Sequence, residues 1–269
     1  MATDDASQDP IIILIGSRGF LGGQLYSDLV CQGYLPMRAE SNLIYLEEMC
    51  SRSKFGDKTV ILISMSWSSN RRRDYLNNPE NSIWAARHIE IAKFCLRNDF
   101  FFVVPGTCLE YLEDRTVEYI KSKIQLKKFL EENMPLDKFL WLRYFYVFSI
   151  VHRRPGLVRD ALDAKGESRP LLVGNIDRRH DYIEVRDAVA QTIDLVKGHH
   201  DGVWDIGAGR TRSNRELISR IGNVDFLESM DAEHSKKPRI GWEDSAKKLI
   251  PNHTQLIAHT NTFFGNLLP

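Results

Sequence analysis

The chain has 269 residues, of which 43% are hydrophobic and 27% are charged, with 36 basic and 36 acidic side chains. This length allows one large α/β domain, or a nucleotide-binding domain with a smaller companion. A formal net charge of zero argues against nucleic acid and an anionic membrane surface as partners, because both are recognised through a positive field.

The start of the chain is polar and acidic, which is unlike a signal peptide. No apolar run approaches the roughly 20 residues that a membrane helix needs. The four cysteines form no CxxC pair and no Cys/His cluster of zinc spacing. We therefore expect a cytoplasmic protein with free thiols and no metal site.

Strands and helices alternate through the first half of the chain. Ile11 to Ile15 is an aliphatic, β-branched run, typical of a strand buried on both faces. A helix from 24 to 32 is predicted to end at Gly33. Further strands are predicted at 35–38, 59–64, 100–104 and 139–145, and helices at 80–98 and 117–133, with Ile83 and Ala86 among the inward-facing residues of the 80–98 helix. This alternation predicts βαβ units and a doubly wound parallel α/β sheet of Rossmann type.

The second half has shorter elements. Strands are predicted at 182–185 and 203–207, and helices at 187–197 and 213–221. Ser213, with Glu216 three residues later, forms a capping box that starts the last of these helices. We expect a dinucleotide-binding domain at 10–150 and a smaller α/β substrate-binding portion at 151–269, partly interleaved with the first.

A glycine-rich turn, GSRGFLG, follows the first strand directly and opens the first helix. Gly16 permits a tight turn, Gly19 lets the backbone approach a pyrophosphate, and Gly22 lets the helix pack closely on the sheet. The alternative is a tight turn that holds no ligand. We expect cofactor contacts from the whole turn, which comprises Gly16, Ser17, Arg18, Gly19, Phe20, Leu21 and Gly22.

The end of the second strand indicates which nicotinamide cofactor binds. An NAD site usually has an acidic residue there, whereas this chain has Arg38, and Arg18 lies inside the turn. Two guanidinium groups suit a 2′-phosphate, so NADP(H) is the predicted cofactor. The alternative is that Arg38 is solvated and Glu40 holds the ribose of NAD. Ser64, at the end of the next buried strand, is also placed in the cofactor site.

Tyr119 and Lys123 form a YxxxK pair in the 117–133 helix, where positions four apart share one face. An ammonium one turn away favours the phenolate and tunes the phenol for proton transfer. Thr107 lies twelve residues earlier, after a buried strand, where ligands bind in open α/β sheets. The alternative is that Tyr119 is an exposed aromatic residue in a solvated helix.

These motifs resemble those of the extended short-chain dehydrogenase/reductases that act on nucleotide sugars. The similarity runs from about Ile11 to about Ser245 and includes the glycine turn, Tyr119 with Lys123, and Thr107 at the Ser/Thr position. Further matches are Asn81 in the 80–98 helix and the segments LRYFYVFS at 142–149, HDYIEVRDAV at 180–189 and WDIGAGRTRSNREL at 204–217.

The resemblance implies reduction of a nucleotide-linked keto-sugar by NADPH, with Tyr119 protonating the new alkoxide and Thr107 orienting the carbonyl. Lys123 would bind the nicotinamide ribose, and Asn81 would complete the catalytic set. The favoured activity is that of a nucleoside-diphosphate 4-keto-6-deoxysugar 4-ketoreductase, because the chain is short and its turn suits NADP. The alternatives are an NAD-dependent nucleotide-sugar 4-epimerase and a non-catalytic NADP-sensing or scaffold protein. The family often forms homodimers.

The chain also departs from the family pattern. Cys108 and Leu109 follow Thr107 where the family's dehydratases carry Asp and Glu, which argues against elimination of water. An Asn of the family is Tyr146 here, and the Arg of its RDF segment is His180. The predicted substrate-binding residues are Trp67, Thr107, Tyr146, Arg178, Arg179, His180 and Arg239.

Overall fold

The computed structural model describes residues 9–67, 75–112, 115–152, 156–222 and 225–228. Arg239, predicted to bind substrate, lies outside the described residues. The first elements are β1 (Ile11–Ile15), α1 (Phe20–Cys31), β2 (Met37–Ala39), α2 (Leu43–Arg52), β3 (Val60–Ser64), α3 (Glu80–Arg97), β4 (Phe101–Thr107), α4 (Glu118–Asn133) and β5 (Phe139–Tyr144). They are followed by β6 (Tyr146–Phe148), α5 (Leu157–Gly166), β7 (Leu171–Val173), β8 (Arg179–His180), β9 (Tyr182–Glu184), α6 (Val185–Lys197), β10 (Gly202–Ile206), β11 (Arg212–Ser213), α7 (Asn214–Ile221) and β12 (Phe226–Glu228).

The main sheet has six strands in the order β10-β5-β4-β3-β1-β2. β1 pairs in parallel with both β2 and β3, and β3 pairs in parallel with β4. β1 and β3 are almost wholly buried, as their aliphatic runs predict. The parallel α/β sheet of Rossmann type is therefore confirmed. Within the described residues, no helix is both long and apolar enough to cross a bilayer.

The chain forms two compact units. Unit 1 contains the described residues up to Arg143 together with Thr192–Trp204, and its core lies between the sheet and helices α3 and α4. Unit 2 contains Tyr144–Gln191 and the described residues from Asp205 onwards, with a small core around Ala161, Leu171 and Ile218.

Two local predictions from the sequence are wrong. Ile83 and Ala86 are exposed on α3, whereas Asn81, Ala85 and His88 are buried. The buried face follows the helical period but includes two polar residues, which a search for aliphatic residues passes over. Helices α2 and α5 were also not predicted.

The capping box at the start of α7 is confirmed. The Ser213 hydroxyl accepts from the Glu216 backbone N–H, and the Glu216 carboxylate accepts from the Ser213 backbone N–H. Gly33 follows α1 with a φ of 90°, the left-handed conformation expected of a residue that ends a helix.

Candidate active site

The glycine turn between β1 and α1 is closely packed against the loop after β3. Gly16 has a φ of 84°, and a Cβ added there would lie 2.8 Å from the Met65 carbonyl carbon. A Cβ on Gly22 would lie 2.2 Å from the Gly16 carbonyl oxygen. Gly19 is the N-cap of α1 and has no side chain of its own to cap the helix. The first turn of α1 can therefore present backbone N–H groups and its positive dipole to a pyrophosphate.

The residues predicted to select the cofactor lie at the surface beside this turn. Arg18, Arg38 and Glu40 are exposed. The Arg38 guanidinium lies 3.9 Å from the centre of the Tyr26 ring, so its side chain is held by an aromatic face.

Tyr119, near the start of α4, contacts the end of β4. Its phenol and the Thr107 hydroxyl are hydrogen-bonded, and its ring lies 5.6 Å from the Tyr75 ring. Burial raises the pKa of Tyr119, and the neighbouring Tyr75 raises it further. The sequence argument expected the ammonium one turn away to favour the phenolate, whereas this environment keeps the proton on the phenol at neutral pH.

Lys123 is fully buried one turn after Tyr119. Its Nζ donates to the Pro105 carbonyl oxygen over 2.7 Å and lies 5.9 Å from the centre of the Tyr119 ring. Trp67 covers the same atom, with its ring centre 3.5 Å from Nζ. Burial lowers the pKa of Lys123 to about 7, and the Glu110 carboxylate opposes this decrease.

Asn81, at the start of α3, uses its side chain to hold neighbouring segments. Its Oδ1 accepts from the Trp67 indole N–H at 3.0 Å, and its Nδ2 donates to the Tyr75 and Asn78 carbonyls at 2.7 and 2.9 Å. Asn81 therefore fixes the indole that covers Lys123.

Ser64 and His88 form a buried polar pair below Trp67. The Ser64 hydroxyl lies 3.0 Å from His88 Nε2 and 3.1 Å from the Ser66 hydroxyl. Burial, with a smaller effect of the Lys123 charge, lowers the pKa of His88 to about 3, so this ring is neutral. Ser64, which we expected to contact the cofactor, thus belongs to a buried hydrogen-bond network that the sequence did not predict.

Glu110 is a buried acid that sequence reasoning missed. It lies in the 3-10 turn Cys108–Leu112 directly after β4, and its Oε1 accepts from the Thr107 backbone N–H at 2.8 Å. The Trp141 indole N–H lies 3.2 and 3.1 Å from its two oxygens, and Arg143 Nε lies 3.8 Å from Oε2. Burial raises the pKa of Glu110 to about 7. In the sequence, an acidic residue three positions after Thr107 is the signal that could have revealed it.

In unit 2, the predicted substrate residues fall into a stacked pair and a pair of arginines. The rings of Tyr146 and His180 lie 4.0 Å apart at 33°. Burial, and next the charge of Arg178, lower the pKa of His180 to about 4, so it does not supply the charge of the family's Arg. Arg179 donates to the Glu216 carboxylate and to the Thr211 carbonyl, whereas Arg178 is half-buried.

Asp181 organises the glycine turn after β10. Its two carboxylate oxygens accept from the Ala208 and Gly209 backbone N–H groups at 2.8 and 2.9 Å. A Cβ on Gly207 would lie 2.8 Å from Asp181 Oδ2, so the turn needs glycine there. In the sequence, an Asp next to His180 and the Gly-Ala-Gly run at 207–209 are the signals that could have revealed this contact.

The chain matches no protein-family model and no curated protein sequence. Among solved structures it is similar to UDP-N-acetylglucosamine 4-epimerase from Bacillus cereus, at 15% identity over 85% of this chain and 89% of that chain, with a TM-score of 0.64. It is also similar to a dTDP-4-dehydrorhamnose reductase from Clostridium acetobutylicum, at 13% identity over 84% and 86%, with a TM-score of 0.66.

A third similar structure is UDP-glucose 4-epimerase from Thermus thermophilus in complex with NAD. The identity is 13% over 88% of this chain and 97% of that chain, with a TM-score of 0.64. Similarity at such low identity is similarity of fold, and the fold expected from the sequence resemblance is confirmed. The chain therefore has the Rossmann-type fold that these nucleotide-sugar epimerases and reductases share.

Proposed function

We propose that this chain is an NADPH-dependent reductase of a nucleotide-linked keto-sugar, a 4-ketoreductase of nucleoside-diphosphate 4-keto-6-deoxysugars. The observation that carries the proposal is the bond between Tyr119 and Thr107 with Lys123 one turn away. All three residues lie in unit 1, at or beside the carboxyl end of β4. Ligands of open α/β sheets bind at this edge.

The phenol suits the role of proton donor. Burial keeps Tyr119 protonated until an alkoxide develops on the substrate, and an alkoxide is basic enough to take the proton. The Thr107 hydroxyl orients the carbonyl oxygen toward Tyr119. A protonated Lys123 supplies positive charge beside the phenolate that forms after the proton has left. NADPH, when bound, supplies the hydride.

The glycine turn and the start of α1 have the residues needed to bind the pyrophosphate of a dinucleotide. The first turn of α1 begins at a glycine N-cap and would direct its N–H groups at the pyrophosphate, and Gly16 and Gly22 allow the close approach of backbone segments that shapes the turn. Arg18 and Arg38 would bind the 2′-phosphate, which favours NADP(H) over NAD. At the nicotinamide end, the Trp67 indole has to move before ribose hydroxyls can reach the Lys123 ammonium.

Unit 2 offers groups for the nucleotide sugar. Arg178 is the candidate for a diphosphate contact, because it is half-buried and its charge acts on His180 of the aromatic pair. The Arg179 guanidinium bonds Glu216 and Thr211. Tyr146 and His180 present a stacked aromatic pair. The similar solved structures include proteins named for UDP- and dTDP-linked sugars, which supports a nucleotide sugar as substrate.

A second candidate is an NAD-dependent nucleotide-sugar 4-epimerase. Two of the three similar structures described above are named as 4-epimerases of UDP-linked sugars, and one of them was solved with NAD. A Tyr-Lys pair serves this reaction equally well. A third candidate, a non-catalytic NADP-sensing protein, is favoured by the position of Trp67 over Lys123.

The test combines cofactor binding with turnover. We expect NADPH to bind more tightly than NADH in calorimetry, and a dTDP-4-keto-6-deoxyhexose to be reduced with stoichiometric loss of NADPH absorbance. Tyr119→Phe should lower kcat by about 10²- to 10⁴-fold and leave NADPH affinity within about twofold, because only proton transfer is lost. Tyr45→Phe, on the exposed side of α2, is the matched control.

The possible outcomes separate the candidates. Tighter binding of NADH would contradict the cofactor assignment. Sugar interconversion without net NADPH consumption would identify the epimerase. Full turnover by Tyr119→Phe would reject the catalytic role of the phenol, and NADPH binding without turnover of any keto-sugar would favour the sensor.

A further inference from the structure

We propose that Glu110 is a positioning residue of this site, which fixes the backbone of Thr107 and supplies the negative charge that balances the buried Lys123 ammonium. The inference deepens the proposed reductase function and rests on it for the roles of Thr107 and Lys123. The contacts of Glu110 themselves require no cofactor and no substrate.

The Glu110 carboxylate is held from two strands. Its Oε1 accepts from the Thr107 backbone N–H at the end of β4, and both oxygens lie within hydrogen-bond distance of the Trp141 indole N–H on β5. Trp141 is fully buried in the core of unit 1. Gly106 leaves the space for this contact, since a Cβ there would lie 2.6 Å from Glu110 Oε1. The Thr107 backbone and the Trp141 indole therefore hold the carboxylate between them, and the carboxylate in turn holds the Thr107 backbone.

The Lys123 ammonium has few partners of its own. Among the described residues, the Pro105 carbonyl is the one hydrogen-bond acceptor of Nζ. Aromatic rings form much of the remaining surroundings, with the Trp67 and Trp141 centres at 3.5 and 5.9 Å. A buried ammonium with one acceptor loses its proton readily unless an opposite charge lies nearby.

The Glu110 carboxylate contacts the same side chain and the same strand end as this ammonium. It is within hydrogen-bond distance of the Trp141 indole, whose ring centre lies 5.9 Å from Nζ. It also binds the Thr107 N–H, two residues after Pro105. Its charge favours the protonated form of Lys123.

Other ionisable groups surround this pair. α3 contributes the neutral His88, and α4 contributes the protonated Tyr119. The 3-10 turn contributes Cys108 and Tyr111, and β5 contributes the Arg143 guanidinium, 3.8 Å from Glu110 and stacked on Tyr111. Arg143 favours an ionised Glu110, and an ionised Glu110 in turn favours a charged Lys123.

The arrangement predicts a coupled proton equilibrium near neutral pH. Burial lowers the pKa of Lys123 to about 7 and raises the pKa of Glu110 to about 7, and each charge stabilises the other. Removing the carboxylate should lower the pKa of Lys123, because an opposite charge within reach changes a pKa by about 1 to 3. Lys123 would then be mostly neutral at pH 7, and the site would lose its positive charge.

The experiment follows the Lys123 Cε resonance by NMR in protein labelled with ¹³C-lysine, between pH 5 and 10. Lys123→Met identifies the resonance by its disappearance. We expect a wild-type midpoint close to pH 7 and a midpoint at least about one pH unit lower in Glu110→Gln. Trp141→Phe removes one hydrogen bond of Glu110 but keeps the charge, so its midpoint should shift much less.

The same variant has a kinetic signature that general structural damage would not give. A decrease of the Lys123 midpoint by about one unit lowers its protonated fraction at pH 7 about fivefold, and kcat should fall by the same factor. At pH 6 the variant should recover about the kcat that wild type has at pH 7, because Lys123 is then again half protonated. A loss of kcat that is equal at both pH values would contradict the charge role.

Wild-type protein alone provides a second measurement if Glu110→Gln fails to fold. Coupled groups share inflections, so the Glu110 Cδ resonance should show the inflection of Lys123 and the reverse. Independent single titrations, or an unchanged midpoint in folded Glu110→Gln, would overturn the inference. Absence of NADPH binding would contradict the proposed function instead and leave these titrations interpretable.

Discussion

Glu110 in unit 1 and Asp181 in unit 2 are both buried carboxylates that bind a backbone turn. Glu110 accepts from the Thr107 N–H and the Trp141 indole. Asp181 accepts from two successive amides of the glycine turn after β10. Burial raises the pKa of Glu110 to about 7 and that of Asp181 to about 6.

The two carboxylates differ in the cations beside them. Glu110 acts on a fully buried Lys123, whose proton equilibrium lies near neutral pH. The cations that act on Asp181 are Arg210 and Arg212, and guanidinium groups stay protonated in proteins. Asp181 thus holds a turn beside cations of constant charge, whereas Glu110 can influence whether Lys123 is protonated. The same residue type at similar burial is therefore expected to affect stability in unit 2 and chemistry in unit 1.

The glycines beside the two carboxylates provide the largest expected effect. A Cβ on Gly106 would lie 2.2 Å from the buried Trp141 Nε1, whereas a Cβ on Gly207 would lie 2.8 Å from Asp181 Oδ2. Gly106→Ala should lower the free energy of unfolding by about 3 kcal/mol or more, and Gly207→Ala by about 1 to 2 kcal/mol. Urea unfolding midpoints measure both.

Gly166→Ala is the matched control for this pair. Gly166 ends α5, and a Cβ there meets nothing within 4 Å. Alanine should therefore be neutral or stabilise by up to about 1 kcal/mol. If Gly207→Ala destabilised the chain more than Gly106→Ala, the carboxylate of unit 1 would not be the more tightly packed of the two.

A smaller effect is expected from the titration of Asp181. Its folded pKa of about 6 lies above the ordinary value of 3.8 for an Asp side chain, so between about pH 4 and 6 the folded chain keeps a proton that the unfolded chain has lost. Stability from this group is therefore full below about pH 4 and decreases as the pH rises through about 6. The total is on the order of 2 to 3 kcal/mol.

Asp181→Asn removes this titration. Wild-type stability, measured by urea unfolding at pH 4.5 and 6.5, should decrease more across that interval than the stability of the variant. Asp201→Asn is the control, because Asp201 is exposed and is not part of the turn. Equal slopes for wild type and Asp181→Asn would show that burial does not raise the pKa of Asp181.

The sequence predicted the fold where local patterns carry the information. The aliphatic run of β1, the glycine turn and the Ser213–Glu216 capping box each lie within a few residues of chain. Helix α2 escaped prediction because Leu46 is its one buried residue, so its pattern barely differs from that of a solvated loop.

The site could be predicted only in part, for the same physical reason. The pairing of Tyr119 with Lys123 follows from helical spacing. The surroundings of Glu110 do not, because Trp141 is 31 residues away in the chain and reaches it across two strands. His88 was passed over because its partner Ser64 lies 24 residues earlier and allows a polar side chain on a buried face.

The smallest expected effect concerns Arg179, the second of two adjacent arginines in unit 2. The Arg179 guanidinium bonds both oxygens of the Glu216 carboxylate and the Thr211 carbonyl. A diphosphate would have to compete with these contacts. Arg179→Ala should therefore weaken UDP binding, measured by calorimetry, by less than about threefold.

Arg178→Ala should weaken UDP binding by about tenfold, which is the value of one charge-assisted hydrogen bond. Arg215→Ala, which removes an exposed cation paired with Asp177, controls for a general loss of positive charge. If Arg179→Ala weakened binding more than Arg178→Ala, the Glu216 pair would open for the ligand. The Arg179 guanidinium would then exchange Glu216 for a ligand. The contrast between the two units would lie only in their buried carboxylates, Glu110 and Asp181.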